Sequence, residues 1–206
     1  MDRSLTHALE EVVAPYDHVR VEIRDAMRTD LGAMLEDPGW VTVSNLPYNV
    51  SVPLIVTMLE DVPQIERYLV MVQREVGERL VAGPGEEAYG AVSVRVAYRA
   101  DARIVRRVPA DVFWPRPKID SVLVRLQPHG PPVEAEPEAL FRVVDEGFAE
   151  RRKTMGNAVR RLGVALPDAI RILNASQIDP STRAERLGLE EFARIARSLR
   201  AEGWRP

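Results

Sequence analysis

The chain has no cysteine, and its three histidines, His7, His18 and His129, are scattered along 206 residues. Disulfides, thiolate nucleophiles and cysteine-ligated zinc are therefore excluded, and the histidines lack metal-ligand spacing, so no metal is expected. Long apolar runs are missing as well. No stretch approaches the roughly 20 residues a membrane-spanning helix needs, and the opening MDRSLTHALEE has neither the basic start nor the apolar centre of a signal peptide. A cytoplasmic protein without membrane association is the expectation. Nor is there a large charge of one sign: the formal net charge is −3, so the whole-chain field does not announce a nucleic-acid partner.

The 46% hydrophobic content suffices for one good core, or for a domain with a smaller companion. The cations are unevenly placed. Arg95, Arg99, Arg103, Arg106, Arg107, Arg116, Lys118 and Arg125 share a segment with only Asp101, Asp111 and Asp120, and a second cluster, RRKT, spans 151–154. Either cluster alone reads most simply as a solvated face.

Helix and strand signals alternate through the first two thirds. Residues 4–13 read as a helix, HVRVEI (18–23) alternates as a strand should, 30–35 reads as a short helix, and WVTV (40–43) is a short buried strand behind a DPG turn. A helix over 51–59 has Ser51 as its expected N-cap and Pro53 in its first turn. IERYLVMVQ (65–73) suits a buried parallel strand, followed by a helix at 75–81, the loop AGPGEEAYG, a helix through AVSVRVAYR, and strands at ARIVRRV and SVLVRLQP. This alternation predicts an α/β domain with a mostly parallel sheet and helices on both faces. QPHGPPVEAEP (127–137), with four prolines and a glycine, reads as a linker, and the helical patterns at 138–148, 154–162, 168–174 and 189–201 follow it. The expected organisation is an α/β domain over 1–128, a linker over 129–137 and a helical domain over 138–206.

VSNLPYNVS (43–51) places Asn, Leu, Pro and Tyr at the carboxyl end of a strand, where open α/β sheets bind ligands. The exocyclic amine of adenine is a poor nucleophile because its lone pair is conjugated into the ring. Two acceptors, the Asn45 side-chain oxygen and the Leu46 carbonyl in a turn stiffened by Pro47, can hold that nitrogen toward tetrahedral geometry. Tyr48 then offers a flat face to a base taken out of its stack. Asn and Pro also begin ordinary turns. Asp25, after HVRVEI, could meet a cofactor's adenine amine from the carboxyl edge of the sheet, or be a turn residue. In DVFWPRPKIDSV (111–122), Phe113 could complete an aromatic sandwich and Arg116 and Lys118 could meet phosphates, while Trp114 reads as a core plug.

RDAM, SNLPYNVSVPL, VQREVGERLVAGPGEEAYGAVSV, VFWPRPKIDSVLVRLQP, FAERRKTMGNAV and IDPSTRAERLGLEEFARIA occur in that order. Together they resemble the ribosomal RNA small-subunit adenine dimethyltransferase family (RsmA/KsgA) from Asp2 onward. The resemblance implies a Rossmann-like class I methyltransferase domain with a small all-helical C-terminal domain. It implies dimethylation of two adjacent adenosines near the 3′ end of small-subunit rRNA in the pre-30S particle, with S-adenosylmethionine as cofactor, by a monomer. By the same resemblance Asn45, Leu46, Pro47 and Tyr48 form the catalytic turn and Phe113 its stacking partner. Asp25, Ala26 and Asn45 contact the cofactor, and Arg151, Arg152 and Lys153 face RNA.

The family's Gly-rich loop after the first strand, and the acidic residue about 20 positions on that holds the cofactor ribose, have no counterpart here. MDR matches the positions just after that acid. An N-terminally truncated product is the expectation, with HVRVEI detached and WVTV left with an unpaired apolar edge. Two other readings stay open: a large-subunit rRNA adenine methyltransferase of the macrolide-resistance type, and a non-catalytic rRNA-binding assembly factor.

Overall fold

A computed structural model describes residues 5–150 and 152–206. Helices α1 (Thr6–Val13) and α2 (Leu31–Met34) precede β1 (Trp40–Asn45), α3 (Ser51–Asp61), β2 (Ile65–Gln73), α4 (Arg74–Val81), α5 (Ala91–Arg99), β3 (Ala100–Val108) and β4 (Ser121–Pro128). Helices α6 (Pro137–Ala149), α7 (Met155–Arg161), α8 (Leu166–Ala175) and α9 (Leu189–Ala201) complete the chain.

The four strands form one sheet in the order β1-β2-β4-β3. The βαβ crossover through α3 makes β1 and β2 parallel, whereas β4 is antiparallel to both β2 and β3. Three strands therefore run the same way, but only one of the three pairings is parallel, because the 109–120 connection lets β4 return between its neighbours without a helix. Alternation on β2 and β4 buries Tyr68, Val70, Val72, Val122, Val124 and Leu126 beneath α3, α4 and α5. The opposite parity, Leu69, Met71, Leu123 and Arg125, is only half-buried. The expected helices on both faces are thus found on one face among the described residues.

Residues 18–23 form no strand. Alternation is necessary for a half-buried strand but not sufficient: a strand exists through its ladder, and among the described residues no neighbour pairs with this one. Among the described residues the outer edge of β1 is likewise unpaired, and WVTV is not the buried strand expected, since Trp40, Val41 and Val43 are exposed, Val43 by 75%; α1 has no buried residue.

Ser51 is not the N-cap of α3. Val50 holds that position without a side-chain bond, and the Ser51 hydroxyl donates back to the Tyr48 carbonyl at 3.3 Å. Asp30 does cap α2, accepting from the Ala33 amide at 2.9 Å.

Two apolar clusters share the molecule, one beneath the sheet and one among α6–α9. Helix α5 serves both, since Val96 belongs to the first and Val94 and Tyr98 to the second. The proline-rich 129–137 stretch is pinned as well: His129 N–H donates to the Arg99 carbonyl, Arg197 donates to the Glu134 carbonyl and Arg200 pairs with Glu136.

Two buried phenols anchor these cores. Tyr68 donates to the Met58 carbonyl at 3.0 Å and Tyr89 to the Leu187 carbonyl at 2.8 Å. Burial pushes the pKa of each up to about 12, Glu191 adding to the effect at Tyr89. The folded state thus holds these protons more tightly than the unfolded chain, whose tyrosines titrate near pH ~10. Their stabilisation is full below pH ~10 and is lost as pH rises through about 12. Urea midpoints are expected to fall steeply across that window, and Tyr89→Phe to flatten the fall; a midpoint independent of pH there would contradict this.

Candidate active site and RNA-facing surface

The carboxyl ends of β1, β2 and β3 and the start of β4 lie along one edge of the sheet, because Asn45 pairs with Met71 while Ser121 pairs with both Gln73 and Val108. Two loops leave from this edge: the turn after β1 and the 109–120 connection. Asn45 is exposed, and the chain then dips so that Leu46 is buried with its N–H on the Met71 carbonyl at 3.2 Å. Pro47 opens a turn closed by Val50 N–H on its carbonyl, 3.2 Å. Neither the Asn45 side chain nor the Leu46 carbonyl is hydrogen-bonded to the described residues. Two acceptors at the strand end are thus left available.

Tyr48 is 38% exposed, and its hydroxyl meets that of the buried Ser121 at 3.2 Å, tying the turn to the first residue of β4. Asp120, one residue earlier, accepts the Ala110 amide at 3.0 Å, and its carbonyl accepts the Arg74 amide at 3.0 Å. These bonds fix the base of the short 3₁₀ turn at Ala110–Val112 that presents Phe113, which is half-buried. Ser121 and Asp120 had no role assigned from sequence, although both stand in the proline-rich motif; only the folded edge shows them holding Tyr48 and the Phe113 loop. The turn and Phe113 thus share one edge of the sheet.

Trp114 is not a core plug. It is 98% exposed, because the extended backbone at Phe113 turns successive side chains to opposite sides.

Asp25 takes the turn role rather than an edge position on the sheet. Its Oδ1 accepts the Met27 amide at 3.0 Å and its carbonyl accepts the Thr29 hydroxyl at 2.8 Å. Ala26 lines a cavity of about 340 Å³ with Leu31, Leu54 and Val62, and Asn45 does not border it.

The cations sort by partner. Arg95 is removed from the basic surface: it pairs with Asp145 at 2.7 Å and lies over the Phe141 ring. Arg125 donates to Gln127. Arg103, Arg106, Arg107, Arg116 and Lys118 are exposed, and none forms an ion pair with the described residues. Arg151 lies outside the described residues. Arg152 and Lys153 are exposed on a loop whose end is held by Met155 N–H on the Thr182 carbonyl and Gly156 N–H on the Pro180 carbonyl. A Cβ at Gly156 would stand 3.2 Å from the Pro180 oxygen, so the start of α7 and the IDPSTRAERL segment (178–187) fit closely together.

A four-stranded sheet with an Asn-Leu-Pro-Tyr turn at its carboxyl edge, followed by a helical bundle, defines a Rossmann-like methyltransferase with a helical C-terminal part. A dimethyladenosine transferase from Plasmodium falciparum has the same fold, with TM-score 0.81 and 21% identity over 98% of this chain and 81% of that one. The 23S rRNA methyltransferase ErmE is also similar, with TM-score 0.69 and 19% identity over 97% and 79% of the two chains.

The family model for ribosomal RNA adenine dimethylase matches residues 1–201, and the chain belongs to this family. Ribosomal RNA small subunit methyltransferase A of Thermobifida fusca is 43% identical over 95% of this chain and 70% of its own length. The protein of that name from Moorella thermoacetica is 40% identical over 97% and 73%. Enzymes of this family take their methyl group from S-adenosylmethionine.

Proposed function

We propose that the protein dimethylates the N6 amines of two adjacent adenosines near the 3′ end of 16S rRNA, acting on the pre-30S particle. The observation that carries this reading is the pair of acceptors, the Asn45 side chain and the Leu46 carbonyl, left without a hydrogen bond among the described residues at the carboxyl end of β1 beside Tyr48. S-adenosylmethionine supplies an electrophilic methyl group. What falls to this chain is to hold the amine. In the first transfer Asn45 and Leu46 accept the amine's two N–H bonds and release the lone pair from the ring, and in the second one of them accepts the single N–H that remains, a proton passing to solvent each time; Pro47 keeps the carbonyl in place, and Tyr48 and Phe113 stack on the extruded base. Arg116, Lys118, Arg151, Arg152 and Lys153 meet phosphates.

Transfer of a labelled methyl group to small subunits lacking the modification tests the reaction. Label recovered as N6,N6-dimethyladenosine at two neighbouring positions is the expected result. Subunit binding with no transfer at saturating cofactor would instead leave a binding protein. The phosphate-binding role is tested by salt: neutralising any one of Arg116, Lys118, Arg152 or Lys153 is expected to reduce the slope of log affinity against log salt by about one unit. An unchanged slope would remove that residue from the interface.

A further inference from the structure

Trp114 is an indole left 98% exposed on a segment whose neighbouring ring, Phe113, is half-buried. A ring of that size fully in water does nothing for folding, and it is flanked by Arg116 and Lys118, with Arg106 and Arg107 at the end of the preceding strand β3. None of these four cations has an ion-pair partner among the described residues. Asp111 and Asp120 are the carboxylates nearest in sequence, so the 106–120 segment carries four cations against two carboxylates. A flat apolar face on a segment of net positive charge matches an unpaired nucleobase with its phosphates, whereas a protein docking here would have to bring acidic side chains.

We propose that Trp114 is a second base-stacking platform, which holds an unpaired nucleotide flanking the adenosine that Tyr48 and Phe113 receive. The inference rests on the RNA-methylating reading and adds a binding residue to it. Because the extended backbone sends Phe113 and Trp114 to opposite sides, one ring serves the extruded base and the other the strand that leads to it. Stacking of this kind tolerates any base, so Trp114 contributes grip and register rather than sequence choice.

The test uses the full chain, a short single-stranded oligoadenylate and small subunits lacking the modification. Trp114→Ala is expected to keep the wild-type melting temperature, since the indole is 98% exposed, and to weaken binding of the oligonucleotide about tenfold. Trp114→Phe is expected to recover part of that loss. The chain has three tryptophans, so quenching of emission on RNA addition that disappears in Trp114→Phe assigns the stacking to this ring. Unchanged affinity of Trp114→Ala for RNA that the wild type binds overturns the proposal and leaves the methylation reading intact. Retained oligonucleotide affinity with abolished subunit binding overturns it in favour of a protein-binding role. Failure of the wild type to bind RNA at all overturns both.

Discussion

Replacing Asn45 with alanine is expected to lower methyl transfer by ~10²–10³-fold with little change in RNA affinity or melting temperature. The magnitude is that of removing one preorganised polar group aimed at the reacting centre. The retained stability follows from its placement: Asn45 is exposed at the end of β1 and its side chain holds nothing else among the described residues. Tyr48→Ala separates the two roles. Losing a stacking face costs ~1–3 kcal/mol per base, so this variant should lose substrate affinity and keep more of the turnover at saturating RNA. Tyr48→Phe keeps the stacking ring but forfeits the 3.2 Å hydrogen bond with the buried Ser121 that ties the turn to β4, so it should keep most of the substrate affinity and lose some stability. Equal, mild losses in Asn45→Ala and Tyr48→Ala would contradict the division of labour.

Gly77→Ala is expected to destabilise the protein by ~2 kcal/mol or more, opposite in sign to helix propensity, which favours alanine by ~1 kcal/mol in a helix interior. Gly77 sits mid-way along α4, and a Cβ there would overlap the Cγ2 of Val122 and stand 3.2 Å from the Cγ2 of Val124. Both valines are fully buried on β4, so neither can move aside without repacking the sheet core. The helix is therefore laid on the sheet backbone-close, and since α4 leads into the loop before α5, its position also sets where α5 joins the two apolar clusters. Val122→Ala should partly rescue Gly77→Ala, because it removes the clashing methyl; a double-mutant cycle with no coupling would place the overlap elsewhere. Urea midpoints of the four proteins measure it.

Where a periodic signal and its physical cause both lie inside one segment, sequence reading and structure coincide. The apolar centre of 65–73 needs burial on β2, and the 3.6-residue stripes after Pro137 need only one another, so α6 to α9 stand where the pattern put them. The alternation of 18–23 failed because a ladder partner is not a property of the segment that alternates. Trp114 failed for a related reason: a large aromatic ring signals burial on average, and only the extended backbone after Phe113 shows it turned to solvent. The prolines of 127–137 read as a linker, and the sequence did not show that Glu134 and Glu136 within it are held by arginines more than sixty residues away.

The order of residues alone determined the Asn-Leu-Pro-Tyr turn, the family and most of the helices, since a four-residue turn at a strand end and a local apolar period are written in consecutive positions. Tertiary structure alone decided that Ser121 and Asp120 bind the two loops into one edge, that Arg95 is paired while Arg106, Arg107, Arg116 and Lys118 have no ion-pair partner among the described residues, and that Asp25 closes a turn on itself. Hydrogen bonds and ion pairs between distant residues depend on which surfaces the chain brings face to face, and that follows from burying the sheet and the bundle together around α5.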